Sequence, residues 1–477
     1  MTDTSAADFM NPELIKKKIA GFKASTKRAK MIQAENYYDG QHDILKRKRQ
    51  TIGKDGELVT VDNLPNNHVI DNQYRKMVIQ KTNYLLGQPI TFQSQNPEHA
   101  KALHAIFNRR FMRTLKNVGR NGLNAGIGFI YVHYNEQGDL CFKRFEPTEF
   151  IPVWKDKDHT EMMYGIRFFQ INTYEGSEEK NIDKVEVYTP GGVFFYVEDG
   201  DGLIPDKVPY RPYFIATDGE LTEAFNWLHI PIIPFKYNAD ELSLLTISVK
   251  SLQDGMNSIL SNFQNTMEED MRNTLMVLVN FDGANLGEFR QNLAQYGVVK
   301  VRNSQQHPSG DVRTLTIEVN AENYKSIIQV FKKALIENAM GYDAKDDRMG
   351  SNANQMNIES MYNDINMDTN ETELEYQASF EMLLWFVHHH LSNTGKGDWQ
   401  DEPVEVIFNR DMMMNETEII DNVAKSVGIL SDESVVANHP YVNDLALELK
   451  RIKQEKAQQI KDGINQNYGE AFGKGEF

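Results

Sequence analysis

The sequence predicts an α+β, mainly helical chain built from several parts. Three observations predict it: a length of 477 residues, helical spacing of apolar residues over several long segments, and one stretch, 127–237, where short apolar runs alternate with turn residues. Apolar residues make up 40% of the chain and charged residues 25%, so sizeable cores can be buried. We therefore expect about two to four domains, or one elongated subunit with several parts.

The N-terminal half begins with helices and continues with strands. Residues 12–40 place apolar side chains at helical spacing among lysines, and 68–87 repeat the pattern and stop at Gly87 before a proline. Residues 104–126 predict a third helix. The stretch 127–237 then predicts antiparallel strands and hairpins.

The C-terminal half returns to long helices. Residues 239–270 contain no proline and predict a helix of roughly 45 Å, at ~1.5 Å per residue. A second helix, 324–341, carries an i, i+3/i+4 apolar stripe. The other predicted elements are a small α/β insertion at 273–319, a helix from about 357 through His390, a strand at 404–410, and helical structure after 430. The last residues are expected to be disordered.

Charge and cysteine content exclude several classes. The net charge is −17, which argues against a protein that holds nucleic acid by a general basic field. One cysteine, Cys141, excludes an internal disulfide and suits a reducing cytoplasm. The N-terminus shows no signal peptide, and no run of about 18 apolar residues predicts a membrane span.

Positive charge is concentrated near the N-terminus. Residues 1–50 hold 11 Lys/Arg and 6 Asp/Glu, and KRKR at 46–49 is the densest basic spot. A solvated turn or tail is the favoured interpretation of this cluster, and a nucleic-acid contact is the alternative.

No catalytic motif is present in the sequence. GRNGLNAGIG at 119–128 follows a predicted helix and precedes a strand, the reverse of a phosphate-binding loop, so a turn is favoured. His388, His389 and His390 point about 100° apart on a helix, which argues against one shared metal and favours interaction with the helix C-terminus. The acidic pairs, such as Asp346-Asp347, suit a solvated surface. The sequence therefore predicts no enzyme, no metal and no cofactor.

Several stretches, taken together, resemble the bacteriophage portal (head-to-tail connector) protein family, in the subgroup from long-tailed phages of Gram-positive hosts. These stretches are ENYYDGQHDIL (35–45), NNHVIDNQYRKMVIQKTNYLLGQPITF (66–92), GIGFIYVHYNEQGDLCFKRFEPTEFIPVW (126–154), SNANQMNIESMYNDINMDTN (351–370) and VGILSDESVVANHPYVNDLALELKRIKQE (427–455). The resemblance covers nearly the whole chain.

The resemblance implies an elongated subunit with named parts, in a ring of about twelve copies around a central channel. The implied parts are a wing at 1–238, stem helices at 239–271 and 320–343, a clip at 272–319, a tunnel loop at 344–356, a long helix and strand returning to the wing at 357–425, and a helical crown with a disordered tail at 426–477. We expect the clip strands, 273–281, 298–302 and 312–319, to pair across subunits, because so small an insertion has little core of its own.

The implied function is structural. The ring would sit at one vertex of the capsid, nucleate procapsid assembly, and form the channel for packaging, retention and ejection of double-stranded DNA. The implied partners are the terminase large subunit, the major capsid and scaffolding proteins, and a head-completion or adaptor protein, with no membrane. The implied location is the virion, after assembly in the host bacterial cytoplasm.

The tunnel loop is the predicted DNA contact. We predict that Lys345, Arg348, Asn352, Asn354 and Gln355 face the duplex, and that Gly341 and Gly350 let the loop bend. The loop is expected to end near residue 356, with Asn357 as the N-cap of the next helix. Because each neutralised phosphate adds affinity, an acidic channel with a few exchangeable contacts suits DNA that must move.

Two alternatives remain open from the sequence. One is another phage structural or connector protein that has no DNA channel. The other is a metal-dependent nuclease, which would rest only on the acidic pairs and on 388–390.

Overall fold

The computed structural model describes residues 11–52, 56–62, 64–175, 178–200, 202–218, 221–270, 275–279, 311–315, 321–343, 355–410, 416–442, 445 and 447–458. By its internal contacts the chain divides into two units. The first comprises Met1–Gly341 and Met367–Arg410, and the second comprises Tyr342–Asn366 and Asp411–Phe477. The described helices and strands confirm a mixed α/β protein.

The helices follow the predicted order with different ends. They are α1 (Pro12–Lys23), α2 (Thr26–Tyr38), α3 (Gln73–Leu86), α4 (Pro97–Ile106), α5 (Arg109–Ala125), α6 (Ile247–Asp270), α7 (Ala321–Asn338), α8 (Gln355–Asn393), α9 (Glu416–Ser426) and α10 (Asp432–Ala437). Residues 447–458 are also helical. No described helix combines the length and the apolar character needed to cross a lipid bilayer.

Polar caps divide two segments that the sequence predicted as single helices. Ser25 accepts a hydrogen bond from the backbone N–H of Arg28 and starts α2. Asn108 likewise accepts from the amides of Arg110 and Phe111 and starts α5. Side chains of this kind satisfy the unpaired amides of a first helical turn, so each gives the chain a new helix start.

The predicted strands between 127 and 237 are confirmed as antiparallel sheets. They are β4 (Ile127–Tyr134), β5 (Leu140–Phe145), β6 (Phe150–Trp154), β7 (Met162–Glu175), β8 (Glu178–Thr189), β9 (Gly192–Asp199), β10 (Gly202–Arg211), β11 (Phe214–Asp218), β12 (Leu221–Phe225) and β13 (Ile232–Lys236), after β1 (Gln50–Ile52), β2 (Leu58–Thr60) and β3 (Thr91–Gln93). One sheet has the order β10-β9-β8-β7-β6, and another has the order β13-β4-β5. Strands β11 and β12 form a hairpin of their own.

The core of the first unit gathers around the buried face of α8. The Phe380 side chain is fully buried and contacts the rings of Phe92 on β3, Phe111 on α5 and Phe235 on β13. Strand β16 (Glu405–Ile407) pairs with β3 beside this cluster. A second cluster, which includes Val249 of α6, packs α2, α3, α6 and α7 together.

The glycine-rich stretch 119–128 ends a helix. Gly119 and Gly122 lie inside α5, and Gly126 ends it with φ of 83°. A Cβ at Gly126 would lie 1.9 Å from the carbonyl oxygen of Glu241, so the position requires glycine on two grounds. The expected turn is therefore confined to the end of this stretch.

The second unit contains α9, α10 and the first turns of α8. Ser431 caps α10 through the N–H of Ser434. Lys456 forms an ion pair with Asp432 at 2.9 Å. The predicted disordered tail, NQNYGEAFGKGEF at 465–477, lies outside the described residues.

Candidate functional site

Helices α6 and α7 form the pair on which the candidate site is built. The ring of Phe263 on α6 lies 4.8 Å from that of Tyr324 on α7. Gly255 lets the helices approach, because a Cβ there would lie 2.5 Å from the Phe331 ring. The chain between the two helices contains β14 (Leu275–Val279) and β15 (Asp311–Leu315).

Strands β14 and β15 pair with each other in antiparallel register, Leu275 opposite Leu315 and Val279 opposite Asp311. This pairing joins one edge of each strand within the chain, and the other edge has no partner strand among the described residues. That the clip strands pair across subunits therefore stays a prediction. The rest of the predicted clip lies outside the described residues.

The helix pair leaves apolar side chains uncovered within the chain. Ile327 and Val330 on α7 are 45% and 66% exposed, and Met267 on α6 is 46% exposed. Ile327 and Val330 are three residues apart and so share a face. In a single subunit this face would remain in contact with water.

One face of α6 is polar and nevertheless fully buried. Gln253, Asn257, Ser261 and Asn265 recur every four residues, so they line one side of the helix. The first three are 0% exposed and Asn265 is 5% exposed. Their partner is residues 66–74, here called the strap.

The strap runs along α6 in the opposite direction and gives its amides to this polar face. The backbone hydrogen bonds are Asn67 N to Asn265 Oδ1 (2.7 Å), Val69 N to Ser261 Oγ (2.9 Å), Asp71 N to Asn257 Oδ1 (3.2 Å) and Tyr74 N to Gln253 Oε1 (3.0 Å). Two residues of extended chain advance ~6.8 Å and four helical residues ~6.0 Å, so the two repeats stay in step.

A histidine closes the buried end of this polar network. The Asn257 side-chain amide donates to Nδ1 of His42 at 2.8 Å, and Nε2 of His42 lies 3.0 Å from the Tyr37 carbonyl. Burial lowers the pKa of His42, so the neutral ring accepts at Nδ1 and donates at Nε2. Lys250 adds ion pairs to Asp43 and Asp254 at 2.7 and 2.6 Å.

The chain leaves α7 through a left-handed residue. Met340 has φ of 50°, and the N–H of Gly341 donates to the Ile336 carbonyl at 2.9 Å. A Cβ on Gly341 would lie 2.6 Å from Sδ of Met77 on α3. Gly341 thus packs closely against the flexible side chain of Met77, and the positive φ falls on its neighbour. Its role as a loop hinge stays a prediction.

Comparison with known proteins assigns this architecture to a family. The family model described as "Phage portal protein, SPP1 Gp6-like" matches residues 15–462. The chain belongs to the phage portal protein family. It is 30% identical to the portal protein of Bacillus phage SPP1 over 433 residues, which cover 89% of this chain and 83% of that protein. It is 26% identical to the portal protein of Clostridium phage phiCD119 over 459 residues, with 92% and 96% coverage.

These relatives confirm the family and the subgroup that the sequence predicted, since both come from phages of Gram-positive bacteria. Portal proteins are structural head-to-tail connector components of phages. This chain is accordingly a phage structural protein.

Most of the predicted DNA-facing residues lie outside the described residues, namely Lys345, Arg348, Asn352 and Asn354. The predicted hinge Gly350 also lies outside them. Gln355 is the first residue of α8. The helix thus begins two residues before Asn357, so the prediction of Asn357 as the N-cap is wrong.

His388 and His390, two of the consecutive histidines near the end of α8, are buried and not charged groups at a helix end. His388 and His390 are 6% and 4% exposed, and Nε2 of His388 lies 3.1 Å from Nε2 of His99. Burial, with His99 and His389 beside it, lowers the pKa of His388 to about 4, and burial also lowers that of His390. The proposed interaction of charged histidines with the C-terminus of the helix is therefore wrong for these two. Among the described residues, no group of three or more His, Cys, Asp or Glu is placed to hold a metal ion.

The basic cluster 46–49 has two kinds of side chain. Lys46 and Lys48 are exposed, as expected for a solvated turn. Arg47 donates to Asn262 Oδ1 of α6 at 3.0 Å and to the Asn67 carbonyl at 3.3 Å. Arg49 donates to the Pro65 carbonyl at 2.7 Å. Arg47 therefore bridges the strap and α6, and Arg49 holds the residue that precedes the strap.

Sequence reasoning missed a buried ion pair beside these helices. Lys81 of α3 is 4% exposed, and its Nζ lies 2.5 Å from Oδ2 of Asp368 on α8. The hydroxyl of Tyr237 donates to the other oxygen of Asp368 at 2.6 Å. The pair joins residues 287 positions apart, and no local pattern signals it.

Proposed function

We propose that copies of this portal protein form a ring of about twelve at one vertex of the phage head, with a central channel for double-stranded DNA. In this proposal α6 and α7 are the stem, residues 272–319 the clip and 344–356 the tunnel loop. Residues 1–238 form the wing, to which 357–425 return, and 426–477 form the crown. Membership of the family supports this division.

The observation that carries the proposal is the uncovered apolar face of the helix pair. Burial of apolar surface contributes about 25 cal/mol per Å², so a face that holds Ile327 and Val330 favours a partner. In a closed ring each helix pair has a neighbour on both sides, and one surface contact is repeated around the axis. A matching pair from the next copy would cover this face.

The hydrogen bonds between the strap and α6 would hold the stem of every subunit in the same position. Because the strap amides are matched to side chains on one face of α6, a slip of the helix by one or two residues would turn these acceptors away and leave several buried amides unpaired. The stem would thereby keep a fixed position along the ring axis relative to its own wing. The same position in every subunit is needed for the twelve loops to meet at one point along the channel.

The loop after α7 would supply the contact with DNA. Lys345, Arg348, Asn352, Asn354 and Gln355 offer cationic and amide groups that bind phosphate without reading bases. Twelve such loops in a protein of net charge −17 would touch the duplex with few contacts each. Low affinity per contact leaves DNA free to move in packaging and in ejection.

The remaining parts of the proposal concern partners. The energy for packaging would come from a terminase docked on the clip, because the sequence contains no phosphate-binding motif of its own. The ring would nucleate procapsid assembly with the major capsid and scaffolding proteins, and would receive a head-completion or adaptor protein. It would assemble in the bacterial cytoplasm and remain in the virion.

Electron microscopy of the purified protein tests the ring. We expect holed rings of about twelve subunits for the unchanged protein and loss of rings for Val330→Glu, which puts charge in the apolar face. Gln329→Glu, an exposed neighbour about 100° away around α7, is the matched control and should still form rings. Solid particles without a hole would overturn the channel.

A second experiment tests the loop. Replacement of 344–356 by a short rigid linker should leave ring assembly intact and impair DNA packaging, measured as DNA protected from nuclease in a packaging reaction. Normal filling of heads by this variant would overturn the role of the loop and leave the ring untouched.

A further inference from the structure

Helix α5 begins with a dense group of basic side chains. Arg109, Arg110, Arg113 and Lys116 are all exposed and are here called the α5 stripe. Arg109, Arg113 and Lys116 stand at i, i+4 and i+7, so they share one face over ~10 Å of helix. In a chain of net charge −17 such a group is unusual.

The stripe lacks an ion-pair partner within the described residues. In the part of the chain that the structure describes, no ion pair joins any of its four members to a carboxylate. The first turn of α5 also contains no acidic residue. The charges are therefore presented to solvent, unlike Arg47 and Lys81, which are used inside the fold.

This arrangement opposes helix stability. The N-terminus of a helix carries a partial positive charge, and cations there are unfavourable. Like charges four residues apart also repel. A sequence that only had to fold would place Asp or Glu in this turn. Violations of local rules of this kind are typical of functional surfaces.

The surroundings distinguish between two kinds of anionic partner. Protein interfaces have an apolar centre with aromatic residues or methionine. None of the exposed large apolar side chains that the structure describes lies on α5 itself. Asn117 lies beside the stripe and carries a further side-chain donor, whereas Asn108 and Thr114 donate to the carbonyls of Ala105 and Arg110. A duplex backbone needs charge and donors but no apolar centre.

We propose that the α5 stripe binds the phosphodiester backbone of duplex DNA, independently of base sequence and separately from residues 344–356. This contact goes beyond the channel function proposed above. It places a binding surface for DNA on the wing, where a duplex need not pass through the ring to reach it.

The test uses a covalently closed duplex minicircle of about 300 base pairs, because a closed circle cannot thread a closed ring. Binding of the labelled circle to the full-length protein is measured between 50 and 200 mM NaCl. The variant R109Q/R113Q/K116Q should bind at least tenfold more weakly at 50 mM. Its plot of log K against log salt should be less steep by about 2 to 3, since each lost phosphate contact contributes about 0.9.

The control removes the same charge elsewhere. K17Q/K23Q/K30Q changes three exposed lysines of α1 and α2 and should bind the circle like the unchanged protein. Equal loss in both variants would overturn the proposal, because binding would then follow net charge alone. So would failure of the unchanged protein to bind, or equal competition by polyglutamate at matched charge, which would indicate an acidic protein partner. Loss of ring formation or of packaging would affect only the channel proposal.

Discussion

Helices α6 and α8 each bury one face along much of their length, and the two faces have opposite chemistry. The buried face of α6 carries Gln253, Asn257 and Ser261, all 0% exposed. The buried face of α8 carries Phe380 and Leu383, also 0% exposed. The first is satisfied by hydrogen bonds to the strap, and the second packs against aromatic rings.

The two faces contribute in different ways: the apolar face of α8 stabilises the fold, and the polar face of α6 fixes the register of its helix. Apolar burial is non-directional and contributes in proportion to the buried area. The α8 face therefore contributes more to the free energy of folding than the α6 face does. A hydrogen bond contributes only about 1 kcal/mol net, but a buried amide left without a partner costs about 1–3 kcal/mol. The α6 face therefore adds modest stability and fixes the position of the helix.

The largest expected effect is the loss of Phe380. Phe380→Ala should lower the free energy of unfolding by about 3–5 kcal/mol, because a fully buried ring is removed and a cavity remains. The rings around it are Phe92, Phe107, Phe111, Phe235 and Phe408. Urea unfolding followed by circular dichroism measures the change.

Leu374→Ala is the matched control on the same helix. Leu374 is 68% exposed, so its loss should change the free energy of unfolding by less than about 0.5 kcal/mol. Similar unfolding midpoints for the two variants would show that α8 is not the apolar centre of this unit.

A smaller effect is expected from Asn257 on the polar face. Asn257→Ala removes the acceptor for the Asp71 N–H and the donor to His42, and should cost about 1–3 kcal/mol. Exposed Gln264→Ala on the same helix should cost much less. Hydrogen exchange of the strap amides distinguishes a register role from simple destabilisation: exchange should rise there more than in β7 and β8. Uniform acceleration would contradict the role of α6 in positioning.

The order and type of elements could be predicted because both depend on local apolar spacing. Helix ends were less predictable. The sequence predicts residues 239–246 as part of the helix, but the Asn238 side chain accepts from the N–H of Leu242 and holds a turn, so α6 begins at Ile247. Polar side chains that bind nearby backbone compete with helix in this way.

The polar face of α6 could not be predicted from its residues. A row of Gln, Asn, Ser and Asn every four positions normally marks a face in contact with water. Only the strap, nearly 200 residues earlier in the chain, makes it a buried face. The ion pair of Lys81 with Asp368 could not be predicted for the same reason, since its partners meet only in the folded chain.

The pH dependence of stability should show that His388 belongs to the apolar region. Its pKa in the folded chain is about 4, below the ordinary value of 6.5, so the fold favours the neutral ring. The resulting stability is present above pH 6.5 and is lost as pH falls towards 4. His388→Gln should therefore cost more at pH 7 than at pH 4.5, measured as the difference in Tm from the unchanged protein. An equal difference at both pH values would mean that His388 titrates normally.

The smallest expected effect concerns Arg47 of the basic cluster, which adds hydrogen bonds between α6 and the strap. Arg47→Gln removes the guanidinium that donates to Asn262 of α6 and to the Asn67 carbonyl of the strap, and should cost about 1 kcal/mol, since the site is only half-buried. Lys48→Gln removes the same charge from an exposed side chain and should leave Tm unchanged. Equal Tm values for both variants would show that net charge, and not the bridge from Arg47, sets the contribution of this cluster. A lower Tm for Arg47→Gln alone, with faster exchange at the Asn67 and Val69 amides, would show that the register of α6 extends to the start of the strap.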